Sequence, residues 1–163
     1  MEFITMSILQ SLFGGGKKQP PVEPIFPGES FSILKLDMPD GLAFATVNSA
    51  YKDYQNKKHF PYLAGFELEI LNKNDNGHPL NDEAEILNDL QDKIENFLKE
   101  KHTVHPVARV TRNGTRDILI YIDEPKFTKK EAKEFFDQIN EIRRINFTIN
   151  KDPNWNSVKA FAI

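Results

Sequence analysis

Hydrophobic and polar positions change period several times along this chain, and each change marks an element. Phe31 to Asp37 and Leu42 to Asn48 are rich in apolar and β-forming residues, and Pro39, Asp40 and Gly41 between them supply a turn, which predicts a β-hairpin. Ser49 to Phe60 has no clear period and reads as a loop or one short helix. Tyr62 to Leu71 alternates, with Phe66, Leu68 and Ile70 on one side and Glu67 and Glu69 on the other, the mark of a half-buried strand. Asn76-Gly77 turns the chain, and Asp82 with Glu85 predicts a capping box. Ile86, Leu87, Leu90, Ile94, Phe97 and Leu98 then recur at helical spacing to about Lys101. Strands follow over His105 to Arg112 and Thr115 to Asp123, joined by the hairpin signal Asn113-Gly114. Thr128 with Glu131 predicts a second capping box, before a helix whose apolar face is Ala132, Phe135, Phe136, Ile139 and Ile142. Ile145, Phe147 and Ile149 alternate in a last strand that Asp152-Pro153 breaks.

From residue 62 the order is β-α-β-β-α-β, so the predicted fold is α+β: a ferredoxin-like antiparallel sandwich with an extra N-terminal β-hairpin. Right-handed crossovers put both helices on one side of the sheet. Alternation then turns Phe66, Leu68, Ile70, Ala108, Val110, Ile118, Ile120, Phe147 and Ile149 toward the helices. The opposite face carries Glu67, Glu69, Arg109, Thr111, Asp117, Leu119, Tyr121, Asp123, Asn146 and Thr148, and is expected to be largely polar. The hairpin either extends the sheet or lies over part of that face.

Residues 1–30 break the regularity. Gly14, Gly15 and Gly16 precede Lys17 and Lys18, then Pro20, Pro21, Pro24 and Pro27, a stretch that cannot bury enough to offset its ordering entropy. It reads as a flexible tail ahead of one α+β domain over 31–163. Ile4, Ile8, Leu9, Leu12 and Phe13 fall at helical spacing, but so short a helix is marginal in water without a surface to dock on. Weak membrane association through this tail is not favoured, since two lysines contribute only about 1 kcal/mol each.

The 163 residues, 39% hydrophobic and 28% charged, fit one domain with a single core. With no cysteine, disulfides, thiolate metal sites and a Cys nucleophile are excluded. The 21 basic residues against 24 acidic ones lack the electrostatic footprint of a nucleic-acid binder. No apolar run reaches the roughly 18 residues of a membrane span, and Glu2 stands where a signal peptide has Lys or Arg, so a cytoplasmic protein is expected.

Glu67, Glu69, Arg109, Arg116 and Tyr121, with Thr111 beside them, form the set most able to hold an anionic substrate. The preferred reading of the same residues is a solvated sheet face laced with cross-strand ion pairs, each contributing about 0.2–1 kcal/mol. No nucleophile–base pair or metal cluster accompanies them, so the expectation is no catalysis, no metal and no cofactor. Asn72, Asn74, Asn76 and Glu83 approach a calcium-loop spacing, yet Asn opens it in place of Asp, and an Asn-Gly turn explains every residue. His102 and His105 are separated by a helix–strand junction, and Trp155 reads as a core plug. An RNA-recognition sheet would need aromatics where the first strand offers Glu67 and Glu69.

Three segments, HFPYLAGFELEI, NGHPLNDEAEILNDLQDKIENFL and RVTRNGTRDILIYI, followed by DPNW, together resemble the bacterial family known as domain of unknown function 695. The shared features stand here as Phe60, Pro61 and Tyr62; Gly77 and Pro79; Thr111, Gly114, Arg116 and Tyr121; Asp152, Pro153 and Trp155, over about residues 59 to 158. Val158 occupies a position where members commonly have Tyr. The resemblance implies no activity, but some members are joined to a domain similar to the regulator of ribonuclease activity B, which implies regulation by binding. The expected function is a non-catalytic protein-binding or regulatory module, with a protein partner of unknown identity, acting through its polar sheet face or an edge strand. The alternative is a small anionic-ligand binding domain or enzyme using Arg109, Thr111, Arg116, Tyr121, Glu67 and Glu69.

Overall fold

Strong local signals became elements in the computed structural model, which describes residues 18–161. They are β1 (Phe31–Met38), β2 (Gly41–Asn48), β3 (Tyr62–Glu69), α1 (Glu83–Lys99), β4 (Val104–Arg112), β5 (Thr115–Ile122), α2 (Lys129–Asn140) and β6 (Ile145–Lys151). Short 3-10 turns cover Ser49–Tyr51, Lys57–His59 and Asn156–Phe161. The helix predicted around Ile4 to Phe13 lies outside the described residues.

The six strands form one antiparallel sheet in the order β1-β2-β4-β5-β3-β6. The fold is therefore α+β. The hairpin extends the sheet: β2 pairs with β4 in the register Ala45↔Val110, so the strand order departs from a simple four-stranded ferredoxin-like sandwich. At the β4–β5 turn, Asn113 and Gly114 have φ of 41° and 82°, the left-handed pair that a two-residue hairpin loop requires.

Only one of the two predicted capping boxes forms. Thr128 is extended (φ −79°, ψ 161°), so its hydroxyl accepts from Glu131 N while the Glu131 carboxylate accepts from Thr128 N. Asp82 is already helical (φ −75°, ψ −8°), a conformation that turns the side chain away from the N–H groups it would cap, and it makes no capping bond. Instead Glu83, buried at the first turn of α1, accepts from Leu71 N and takes both arms of Arg143, at 2.9 Å (Nε) and 2.6 Å (Nη2).

Each face of the sheet carries a core. On the helix side, Leu87, Leu90, Ile94 and Leu98 of α1 and Ile139 of α2 bury Ala64, Phe66, Leu68, Ile118, Ile120 and Ile122. On the far side, Ala43, Ala45, Val47, Leu63, Val107, Ala108 and Val110 pack with Tyr51, Phe60, Tyr121, Trp155 and Val158. This corrects two expectations: Ala108 and Val110 face away from the helices, and the far face is not largely polar. The cause of the first is a β-bulge between Pro106 and Ala108. Pro106 has no N–H to give the ladder, and the extra residue beside it reverses the alternation, as bulges do. The second follows from what covers the far face: the 3-10 turns and part of the stretch read as a tail. Val22 N donates to Asn56 Oδ1 (2.8 Å), Asn56 Nδ2 donates back to Val22 O (2.7 Å), and Ser30 N donates to Asn48 Oδ1 (3.1 Å).

Candidate functional site

The bulge decides which polar residues meet. By reversing phase after Pro106 it turns Arg109 and Thr111 to the helix side, where Arg116 of β5 also points. Two cross-strand rows result: Ile33, Thr46 and Arg109 in one, and Lys35, Phe44, Thr111 and Arg116 in the next. The helix-side core draws no residue from β1 or β2, so this half of the sheet projects past the helices as a ledge, with α1 as its wall.

Asn88 of α1 closes the constellation. Its Oδ1 accepts from Arg109 Nη1 (3.0 Å) and Arg116 Nη1 (2.9 Å), while Arg116 Nε donates to Thr111 Oγ1 (3.3 Å). Arg116 is only 5% exposed. Burial, and then the charge of Arg109, push its guanidinium down to about 10, with Glu83 opposing. It stays cationic at neutral pH, yet among the described residues no carboxylate forms an ion pair with it or with Arg109. Beside Arg109 opens a cavity of about 300 Å³ whose lining includes Phe31, Thr46 and Gln91. Gln91 donates to Glu95 through Nε2 (3.0 Å), and its buried Oε1 has no partner among the described residues.

The other predicted site residues lie elsewhere. Tyr121 is on the opposite face from Arg116, as odd and even positions of one strand must be. There it stacks on Trp155 (centroids 4.0 Å apart, planes at 7°) and donates to Asp152 Oδ2 (2.7 Å). Burial alone would raise the Asp152 carboxyl, but Ser157 N, the Tyr121 hydroxyl and Asn156 N hold it below the usual range. Trp155 Nε1 donates to Phe60 O (3.0 Å), so Tyr121, Asp152 and Trp155 lock the C-terminal segment onto the sheet. Glu67 accepts from Asn146 Nδ2 (2.9 Å), and Glu69 pairs with Arg144 (3.6 Å). Thus Arg109, Thr111 and Arg116 are brought together, and Glu67, Glu69 and Tyr121 are not among them.

A second concavity, about 640 Å³, runs along the uncovered half of the far face between Leu36, Gly65, Val110, Leu119 and Phe161. On its rim the single cation is paired, Arg112 donating to Asp40 (2.9 Å) and Asp117 (3.2 Å), and Glu67 is held by Asn146. The ledge differs in carrying cationic groups that lack a counter-charge. The Asn72 to Gly77 stretch is a turn in which Asn74 Oδ1 accepts from Asn76 N and His78 N, both at 3.0 Å, and Gly77 O accepts from Gly114 N (3.0 Å). His102 is held by Leu98 O and Lys126 N at the end of α1, whereas His105 is sunk in the far-side aromatic cluster, with Nδ1 3.0 Å from the Tyr51 hydroxyl. Among the described residues no group of three or more His, Asp or Glu side chains is placed to hold a metal ion, and no helix is long and apolar enough to cross a membrane.

Sequence reasoning missed Asn88, Gln91 and the exposed pair Phe31 and Ile33. A polar face is the default for a surface helix, so nothing local distinguished the two amides. The apolar residues of β1 were legible, but which of them would stay uncovered was not. The sequence model of a family of unknown function, DUF695, matches residues 32–161. No curated protein and no solved structure matches the chain.

Proposed function

Because this chain belongs to DUF695, a family of unknown function, its role has to be read from its own surface, and we propose that it is a non-catalytic, regulatory protein-binding module that takes an extended partner segment onto the free edge of β1. The observation that carries this reading is the exposure of large apolar side chains on an edge strand: Phe31 is 63% and Ile33 is 74% exposed. The other edge, β6, presents Asn146, Thr148, Asn150 and Lys151. An unpaired edge offers backbone N–H and C=O groups to another chain, and charges normally blunt it. In β1 such charges, Lys35 and Asp37, guard only the second half. A strand laid along residues 31–34 gains ladder hydrogen bonds and covers both side chains, each worth about 1.5–3 kcal/mol when fully buried. The placing of Arg116 and Tyr121 on opposite faces favours binding over catalysis, since no one substrate can reach both. We read the four strands β4-β5-β3-β6 with α1 and α2 as a ferredoxin-like unit that the hairpin extends to carry this edge.

The test uses the full chain in its native cell with a photo-crosslinking amino acid at Phe31, compared with the same group at Thr148. A discrete protein adduct from position 31 only, lost on Ile33→Lys, is the expected result. Absence of an adduct from 31, equal adducts from both edges, or an adduct indifferent to Ile33→Lys overturns the reading.

A further inference from the structure

We infer that Arg109, Arg116 and Asn88 form a binding site for an oxyanion, a phosphate or carboxylate group, delivered from the small cavity between α1 and the ledge. This goes beyond edge binding and does not rest on it. The chain does not lack acids, having 24 of them, and the other three arginines are all paired: Arg112 with Asp40 and Asp117, Arg143 with Glu83, Arg144 with Glu69. Only Arg109, which lines the cavity, and Arg116, which shares Asn88 with it, are left with neutral acceptors. Their Nη1 atoms share one amide oxygen at 3.0 and 2.9 Å, so two like charges stand within about 6 Å of each other and repel, one of them almost fully buried.

A buried cation beside a second cation is the arrangement an anion relieves. Guanidinium forks match the paired oxygens of carboxylate and phosphate. Asn88, neutral, holds both forks in place without neutralising them, which a carboxylate at that position would do. Gln91 Oε1, buried and unpartnered, lines the same cavity as Arg109. A rotation of the Gln91 side chain is needed to bring this oxygen to an N–H or O–H on the body of a ligand whose anionic group lies on the arginines. At about 300 Å³ the cavity suits a small molecule or a single acidic side chain.

The test is an NMR titration of the full chain at matched ionic strength with inorganic phosphate, with acetate, and with chloride as control, following the Arg116 Nε–Hε and Asn88 side-chain amide signals. Saturable movement with phosphate or acetate but not chloride is expected, and which of the two binds tighter identifies the oxyanion. Arg109→Gln, at a half-buried position, is expected to weaken binding about tenfold, the loss of one charge-assisted hydrogen bond. Asn88→Asp supplies the missing counter-charge, so it should abolish anion binding while raising the melting temperature. Chloride acting as well as either oxyanion, no saturable movement at all, or an Asn88→Asp protein that melts lower or binds as before overturns the site. Crosslinking at position 31 reads the strand edge, not these signals, so either proposal can fail alone.

Discussion

Acidification provides a direct test of how the far-side core is built, through His105. Its side chain is fully buried among Phe26, Tyr51, Tyr54, Phe60 and Trp155, with the Phe60 ring 4.1 Å away between centroids. Nδ1 meets the Tyr51 hydroxyl, and Nε2 has no partner among the described residues. A charged imidazole would need acceptors for two N–H groups and has one. Burial therefore pushes His105 from its ordinary 6.5 down to about 4, with the charge of Asp123 working weakly the other way. Between these values the unfolded chain binds a proton that the folded chain refuses, so stability rises with pH there. The contribution is fully present above about 6.5 and is lost as pH falls toward 4. At about 1.4 kcal/mol per unit of difference, the loss across the window is about 3 kcal/mol. The carboxyls held below their ordinary range, Glu83 and Asp152, begin to cost stability only under about pH 4.5. Across the interval from 6.5 to 4.5 burial also raises the Asp117 carboxyl, which works in the opposite sense, so the difference between wild type and His105→Phe is what reads the histidine. Urea unfolding at pH 7, 6, 5 and 4.5, read by the fluorescence of the single tryptophan, Trp155, measures it. His105→Phe should be less stable at pH 7, for want of the Tyr51 partner, but should lose the slope. An unchanged slope in His105→Phe refutes the reasoning.

Two further perturbations separate buried from exposed contributions. Arg143→Met should cost about 3–5 kcal/mol in denaturant unfolding, because it strands the Glu83 carboxylate, whose side chain is 2% exposed. Removing Lys130 from its pair with Glu134, at 83% and 63% exposure, should change stability by no more than about 0.5 kcal/mol. Gly77→Ala should unfold the domain or lower its melting temperature sharply: φ there is +78° and the new Cβ would lie 2.2 Å from Gly114 N, whereas Gly28→Ala meets nothing within 4 Å and should be silent in the same thermal melt.

What the sequence determined by itself was local. Alternation at Phe66, Leu68 and Ile70, the helical stripe from Leu87 to Leu98, the Asn113-Gly114 turn and the Thr128–Glu131 cap each depend on residues within a few positions of one another, and each formed. The Asp82–Glu85 cap failed because Asp82 is itself helical, and the buried side chain at the start of α1, Glu83, is held instead by a residue 60 positions away, Arg143. The site depended still more on the fold. Arg109 and Thr111 were legible as candidates, but a single bulge beside Pro106 chose their face, and strand parity had already placed Tyr121 on the other one. Asn88, which draws Arg109 and Arg116 to one atom, comes from a helix more than twenty residues away from either, and its pattern matches that of any solvent-facing amide. Side-chain period is a property of the chain, whereas the face a strand presents, what covers it, and which charges are left without a partner are properties of packing. Only the tertiary structure decided those.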